Sequence, residues 1–492
     1  MSYFNNFDIK NVKVLNKSEY PLKVTAKEKI REDIRELIKE LDIKDNSSLS
    51  FHHHLRNGDK VLNLVMKEVQ KAGIKGITLV ATSLFPVHKE MIPLLEDGTI
   101  KNIVTSYITG DLAKAISHGK LEGHILMQSH GGRARSILNE EVEIDVAFIA
   151  SPSADKMGNI SGVNGQNSCG TLGYAIADSI KAEKVVAVTD SLLDYPNYPA
   201  DITEDYVDYV LVVDSIGLKE GIVSGTTRVT RDPIGLNIAR DTLKAMKATG
   251  LLKDGFSYQS GAGGVSLAVT AYLREYMIEN NIKGSFASGG ITGYLTDMLE
   301  EGLFDALFDV QCFDLQAIES LKRNPNHIRM SASQYGNCEV SAVVDNLDIV
   351  ILGATEIDVD FNVNVTTGSD GVLMGGSGGH QDTAAGSQVT IIVSKLFSSR
   401  IPFIKDRVDV ITTPGTTVDI LVTERGISVN PLRQDLIENF KKAGIETIDI
   451  KELKKYAEDV MGVPRPIEKT DRIIGFSEYR DGSIIDYIYQ VK

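Results

Sequence analysis

One stretch of this chain recurs 203 residues further on, and that repeat limits the available folds more than any other feature. Asp145-Val-Ala-Phe-Ile-Ala leads to Gly158-Asn159-Ile160, and Asp348-Ile-Val-Ile-Leu-Gly leads to Phe361-Asn362-Val363 at the same offset of 203. Both copies then enter a Gly-rich loop, Ser161–Gly173 or Thr367–Gly386. An apolar run follows each loop, Lys184–Val188 or Val389–Val393. Self-similarity at one fixed offset marks a duplicated unit. Around it, short β-branched runs (Gly76–Ala81, Asn102–Ser106, Gly123–Met127, Asp145–Ala150, Tyr209–Val213) alternate with helical patterns such as Val61–Ala72 and His88–Leu95. Continuous apolar strands separated by helices belong to a mainly parallel sheet covered on both faces. The expected fold is therefore α/β, with two similar, duplicated domains whose mainly parallel sheets are flanked by helices. The chain, at 492 residues, is too long for one core to keep growing. The expected divisions are an N-terminal extension, 1–48, a first α/β domain, 49–232, and a second, 233–492, with the break near Arg231-Asp232-Pro233. In the extension, Ile30, Ile34, Leu37, Ile38 and Leu41 recur at helical spacing among charges, which predicts an amphipathic helix over 26–42.

A net charge of −15 argues against a nucleic-acid binder, which needs a basic face. An anionic substrate would have to be drawn in by local cations or helix N-termini. Cys169, Cys312 and Cys338 are odd in number and far apart, with no metal-binding spacing, so neither a disulfide framework nor a metal site is expected. The first residues lack a basic stretch followed by an apolar one, and no uncharged apolar run reaches the ~18 residues of a membrane span. A cytoplasmic protein with no membrane partner is the expectation.

Three Gly-rich loops stand out. Ser260-Gly-Ala-Gly-Gly264 lies between the strand Phe256–Gln259 and the helix Val265–Met277, and Gly375-Gly-Ser-Gly-Gly-His-Gln-Asp382 leads into Thr383–Ser387. Ser129-His-Gly-Gly-Arg-Ala-Arg135 follows the strand ending at Met127. A glycine turn between strand and helix offers free backbone N–H groups to an anion or a developing oxyanion, and ligands bind beyond strand C-termini in open α/β sheets. A single such loop is more often a plain turn. Two in one repeat, beside a third carrying His130, Arg133 and Arg135, favour a site. Neither second-half loop is a P-loop, because no Gly-Lys-Ser/Thr follows, and neither carries a dinucleotide fingerprint.

Phe51-His-His-His-Leu-Arg-Asn-Gly58, Ser129–Arg135 and Gly376-Ser-Gly-Gly-His-Gln-Asp-Thr-Ala-Ala-Gly386 resemble characteristic runs of citrate lyase α subunits, over a similarity reaching from about Leu49 to the C-terminus. More distantly, the repeat and the two glycine loops resemble CoA-transferases in general. The resemblance implies a CoA-transferase-like pair of α/β domains with the site between them, and transfer of a carrier thioester from acetyl to citrate with release of acetate. It implies an acyl-carrier (γ) subunit and a citryl-lyase (β) subunit as partners. No cofactor would be bound permanently by this chain; the CoA-type phosphopantetheine thioester would arrive on the carrier, with acetyl-CoA as surrogate. Many CoA-transferases place a nucleophilic glutamate where this chain has Lys283-Gly-Ser-Phe-Ala-Ser-Gly-Gly290, with Ser285 at or beside the position. That departure points to direct attack by a citrate carboxylate through a mixed anhydride, without a glutamyl-CoA intermediate.

For that chemistry the candidate oxyanion donors are the amides of Gly261, Gly263 and Gly264 and those at Gly378 and Gly379. His380 and His130 border the loops as donors or positioning groups. Arg133 and Arg135, then Arg56, are the candidate carboxylate partners, since guanidinium forks match carboxylates. An extended chain would aim Arg133 and Arg135 the same way, whereas a helix would separate them, and a salt bridge is the plain alternative for either. His52-His53-His54 has no carboxylate or thiol nearby in sequence, so packing or orientation of substrate is expected there in place of metal binding. Cys169 reads as a buried inert thiol and Glu356 as an acid to watch. Rival readings are a citramalate or malonate transferase of the same build, a non-catalytic subunit that docks the carrier, and a sugar-phosphate isomerase on a related fold.

Overall fold

The computed structural model describes residues 27–52, 54–223, 229–261, 263–398 and 401–492. His53, residues 1–26 and Ala262 of the second-half loop lie outside them. Seven parallel strands form the core of a first sheet: β1 (Ser48–Phe51), β2 (Ile77–Ala81), β3 (Ile100–Thr105), β4 (Ile125–Met127), β5 (Val146–Ser151), β6 (Lys184–Thr189) and β7 (Tyr209–Val212). Seven more form a second: β8 (Ser257–Ser260), β9 (Gly284–Ile291), β10 (Phe304–Cys312), β11 (His327–Arg329), β12 (Ile349–Gly353), β13 (Val389–Val393) and β14 (Ile420–Thr423). The spatial order β4-β3-β2-β1-β5-β6-β7 in the first recurs as β11-β10-β9-β8-β12-β13-β14 in the second. Strands β5 and β13 are buried along their whole length, as the unbroken apolar runs predict.

The repeated sequence performs the same local job twice. The Asp145 carboxylate accepts from Ser48 N–H at the start of β1 at 2.6 Å, and Asp348 accepts from Ser257 N–H at the start of β8 at 2.8 Å. Asp155 accepts from the amides of Met157, Gly158 and Asn159 at 2.9–3.1 Å, and Asp358, at the same offset, from those of Asp360 and Asn362. Asn159 and Asn362 then donate from their side chains to the second carboxylate oxygen of Asp155 and Asp358. These residues recur because each closes a turn whose amides no strand partner reaches.

Two expectations shift. The amphipathic pattern over 26–42 begins with a two-residue strand, Ile30–Arg31, pairing with β7, and only then becomes a helix, α1 (Ile34–Glu40). Asp33 sets that start by accepting from Arg35 N–H at 2.7 Å. The assignment of everything after 233 to the second domain also changes. The C-terminal hairpin β15 (Lys469–Glu478) and β16 (Ile484–Val491) extends the first sheet, with β15 running parallel to β4. Arg135 anchors it by donating to Arg480 O at 3.2 Å, and Gln128 donates to Glu478 at 2.9 Å. The expected break itself coincides with a helix start at Pro233, capped by Asp232, which accepts from Gly235 N–H at 2.8 Å.

Ending the chain at Ile467 would bare the β4 edge and strip Arg135 of its partners on the hairpin. Aggregation on expression, or a melting temperature lower by more than about 10 °C, is expected. Melting unchanged from the full chain would show that the hairpin carries no load in the first sheet.

Candidate functional site

The two halves are stitched together by their glycine loops. Ser129 pairs with Gly378 as an isolated β-bridge, and His130 N–H donates to Gly378 O at 2.8 Å. Two helices meet across this seam, α2 (His130–Leu138) and α3 (His380–Gly386). The Asp382 carboxylate of α3 accepts from the Ser129 hydroxyl at 2.7 Å and from Gly131 N–H at 2.8 Å, at the N-terminus of α2. A second buried contact between the halves gathers Thr171, Cys312 and His327 around one oxygen of Asp309, at 2.9, 3.0 and 3.4 Å.

Beside the seam lies a cavity of about 270 Å³. Its walls come from the C-terminal ends of β8, β9 and β12 and the residue after β10 (Gln259, Ser260, Gly290, Gly353, Phe313), from Gly261, Gly263, Ser266, Ser377, Gly379 and His380, and from Tyr335. Among the described residues, the first half contributes only His130 and Tyr174 to that wall. This is the strand-end location expected for a ligand in an open α/β sheet. Among the described residues that line the cavity there is no Asp, Glu, Cys, Lys or Arg.

Geometry sorts the five glycines expected to supply donors. Gly261 N–H is already given to Ile351 O at 2.8 Å, and Gly378 N–H to Ser106 O at 3.1 Å, so neither amide is available to a ligand. Gly263 and Gly264 open the helix α4, Gly264–Asn280. Helix-start amides have no partner within the helix, and among the described residues these two find none elsewhere. Gly379 N–H likewise has no acceptor among the described residues. A Cβ on Gly263 would meet nothing nearer than the Ser266 hydroxyl at 4.0 Å, so that loop is open, whereas one on Gly379 would overlap the Tyr335 hydroxyl.

His380 faces the cavity, but its ring is spoken for: Nδ1 is 2.7 Å from the Thr413 hydroxyl and Nε2 is 3.0 Å from Gly353 O. The expected direct catalytic role therefore becomes one of fixing the Gly353 strand end. His130 packs against the Tyr174 ring at 4.4 Å between centroids, and burial pulls its pKa down to about 3. The two arginines expected to meet substrate both turn away from the cavity. Because α2 is helical, residues two apart diverge. Arg133 forms a two-pronged ion pair with Asp178 at 2.7 and 2.9 Å. Arg135 holds Glu141 at 2.6 and 2.9 Å on the hairpin side. Both are 2% exposed, so neither could change partner without uncovering a buried carboxylate or leaving the interior. Arg56 differs. Its guanidinium lies 4.9 Å over the ring of Phe313, a cavity-wall residue, and no carboxylate among the described residues comes within ion-pair distance. His52 and His54 are buried just behind, His54 against Tyr174 at 5.8 Å and His52 4.0 Å from Asp178. Ser285 sits at the start of β9 with its hydroxyl on Phe256 O, while Gly290, at the far end of that strand, reaches the cavity. Glu356 pairs with Lys405 at 3.4 Å, away from the cavity wall.

Sequence reasoning missed Tyr174, Gln259, Phe313 and Tyr335. Gln259 left a signal, lying near the end of a short strand just before a glycine loop. Tyr335 left none; it comes from a single-turn helix, α5 (Ala332–Gly336), inside a polar stretch.

The family model for "Citrate lyase, alpha subunit (CitF)" matches residues 27–491. The citrate lyase alpha chain of Klebsiella pneumoniae is 46% identical over 465 residues, 94% of this chain and 92% of that protein. A solved α subunit of citrate lyase from Streptococcus mutans, in complex with citrate, is 45% identical with a TM-score of 0.93, covering 96% of this chain and 93% of that one. A Pseudomonas malonate decarboxylase hetero-tetramer in complex with malonate shares the fold at 15% identity and a TM-score of 0.68, covering 88% of this chain and 87% of that one.

Burial draws the pKa of His52 and His380 down to about 4 and that of His130 to about 3, and lowers His54 as well. In the unfolded chain each titrates near about 6.5, so unfolding takes up these protons and the stability present above pH ~6.5 is lost as pH falls toward 4. Asp382, pushed up to about 6 by burial, acts in the opposite sense over about 6 to 3.8, and Asp201, Asp419 and Glu478, also raised by burial, act with it. Between pH 7 and pH 5, however, it is the four histidines that the unfolded chain protonates. Urea unfolding at pH 7 and pH 5 is expected to show lower stability at pH 5; equal stability would mean that these histidines reach solvent.

Proposed function

This chain belongs to the citrate lyase α-subunit family, and from that premise we propose that it moves a carrier thioester from acetate to citrate in the cavity between its halves. A citrate carboxylate oxygen attacks the carbonyl carbon of the acetyl thioester. The tetrahedral adduct collapses, the carrier thiolate leaves, and an acetic–citric anhydride remains. The thiolate then attacks the citryl carbonyl, forming citryl-thioester and releasing acetate. A thiolate leaves readily, so the site needs to hold two reactants in register and stabilise two oxyanions. Orientation of that kind can be worth ~7–11 kcal/mol.

The observation that carries this reading is the chemistry of the cavity wall. Among the described lining residues there is no carboxylate or thiol to take the acyl group. The lining hydroxyls of Ser260, Ser266 and Ser377 have no base hydrogen-bonded to them among the described residues to make them nucleophiles, so the substrate's own carboxylate is left to do so. The amides of Gly263, Gly264 and Gly379, which have no acceptor among the described residues, suit the oxyanions. Arg56 is the carboxylate anchor in this scheme, and Arg133 and Arg135 serve the framework. The partners are a carrier subunit bearing the phosphopantetheine arm and a lyase subunit that cleaves the citryl-thioester, in the cytoplasm. No helix among the described residues is long and apolar enough to cross a membrane.

Purified chain given acetyl-CoA and citrate is expected to form citryl-CoA and acetate, with no enzyme ester trapped by hydroxylamine or borohydride. A trapped ester would overturn the direct route. Turnover of malonate or citramalate alone would reassign the substrate, and no transfer even with the carrier present would leave a docking subunit. Arg56→Ala is expected to raise the KM for citrate about 10- to 100-fold, the cost of one charged hydrogen bond, with kcat much less affected. An unchanged KM would remove Arg56 from the site.

A further inference from the structure

Tyr335 is the buried hydroxyl on the cavity wall that the scheme above leaves without a task. It is 2% exposed, and its oxygen accepts from the Gln259 side-chain amide at 2.8 Å. The other end of that amide, Gln259 Oε1, accepts from the Ser288 hydroxyl at 3.0 Å. The direction of this relay matters. Were the amide reversed, Tyr335 would spend its proton on Gln259, and the Ser288 hydroxyl, 1% exposed and with no other recorded partner, would keep a buried proton with no acceptor. With Ser288 donating to Gln259 and Gln259 donating to Tyr335, the phenolic proton is left without an acceptor among the described residues, at a side chain that lines the cavity.

The surrounding backbone is shaped to this arrangement. Strand β9 bulges between Gly289 and Gly290 where it pairs with β10. Gly289 there takes a φ of +105°, and a Cβ on it would come within 2.7 Å of the Gln259 amide. Bulges of this sort re-aim side chains beside functional sites. On the other flank stands Gly379, whose N–H has no acceptor among the described residues and whose place leaves no room for a Cβ beside the Tyr335 hydroxyl. Tyr335 O–H and Gly379 N–H are therefore neighbouring donors on one stretch of wall. Burial holds the phenolic proton well above the ordinary range, so the group remains a neutral donor at all working pH values.

We propose that Tyr335 is a catalytic oxyanion donor, pairing with Gly379 N–H to hold the acyl oxygen of the thioester, and that Gln259 and Ser288 are the positioning residues that aim its proton. As the carboxylate oxygen bonds to the acyl carbon, the C=O π electrons move onto the acyl oxygen. Tyr335 and Gly379 donate hydrogen bonds to that oxygen without transferring a proton. The C=O bond re-forms as the C–S bond breaks and the electron pair leaves on sulfur. The proposal rests on the transferase reading.

The test compares wild type, Tyr335→Phe, Gln259→Glu and the double variant in acetyl-CoA-dependent citryl-CoA formation, with a thermal melt of each. Loss of one oxyanion donor is expected to lower kcat about 100- to 1,000-fold, and the KM for citrate should stay within about threefold because the bond strengthens in the transition state. Glutamate at 259 can only accept in its ionised form and takes the Tyr335 proton for itself. Because it also sets a carboxylate on the cavity wall and weakens citrate binding, this variant and the double variant are read in kcat at saturating citrate. That variant is expected to lose a similar factor, and the double variant no more than either single one. Melting within about 5 °C of wild type would accompany these losses. Wild-type kcat in Tyr335→Phe, a change confined to KM, or multiplying losses in the double variant would each overturn the proposal. Failure of wild type itself to form citryl-CoA would instead overturn the transferase reading.

Discussion

The carboxylate of Asp382 lies where the two halves meet, and the site depends on what it holds. Its two oxygens take the Ser129 hydroxyl and the Gly131 amide, both from the other half. That bond pattern sets α2 and α3 against each other, and it lines up Ser129 with Gly378. Burying a carboxylate is costly, and burial does push its pKa up to about 6. The cost is offset by the N-terminus of α2, whose first amides need an acceptor, and by Arg480, 3.8 Å away on the hairpin. Through this contact His130 and Gly379 reach the same cavity from opposite halves.

Duplication supplied two sets of strand ends, and only one set opens onto the cavity. The loop after β8 is Gly261–Gly264, while the loop after its counterpart β1 carries His52 and His54. Those rings are buried, near an Arg133–Asp178 pair that also engages Ser50. The first half has filled its strand ends with a packed polar cluster, and the second has left its own open. The asymmetry follows from side-chain volume: glycines leave space for a ligand, histidines and an arginine occupy it. Removing one member of the Arg133–Asp178 pair would strand a buried charge, at a cost of about 3–5 kcal/mol. That cluster is therefore a rigid backing for Tyr174 and His130.

Much of the fold was legible because it rests on local rules. The apolar runs read as buried parallel strands, the 203-residue offset marked the duplicated unit, and the glycine loops Ser260–Gly264 and Ser129–Arg135 fell at strand ends. The C-terminal hairpin was not legible, since its place is decided by the open edge of β4, whose residues pair with it from 350 positions earlier (Gly475 with Ile125). The site was read in outline only. Glycine marked the loops, but which amides are spent depends on carbonyls from distant segments, Ile351 for Gly261 and Ser106 for Gly378. Arg133 and Arg135 were misjudged because a charged residue near a glycine loop looks the same in sequence whether it faces a ligand or a buried aspartate. Tyr335 arrives from a turn with no periodicity, and nothing local announces it.

The chemistry of the wall explains how an acidic protein can host a reaction among anions. Beyond a Debye length of about 8 Å at physiological salt, the field of the net negative charge is screened, so the groups at the cavity decide what is bound. There the wall presents neutral donors and aromatic rings, with Arg56 set behind Phe313. A carboxylate on that wall would repel citrate, and it would also stand where it could attack the thioester first. Leaving it out does two things at once: it lowers the cost of admitting a carboxylate substrate, and it reserves the acyl carbon for that substrate. Neutral donors complete the logic, because a hydrogen bond to a forming oxyanion in a poorly solvated cavity gains more than one made in water, and it gains it only once the charge has moved onto that oxygen.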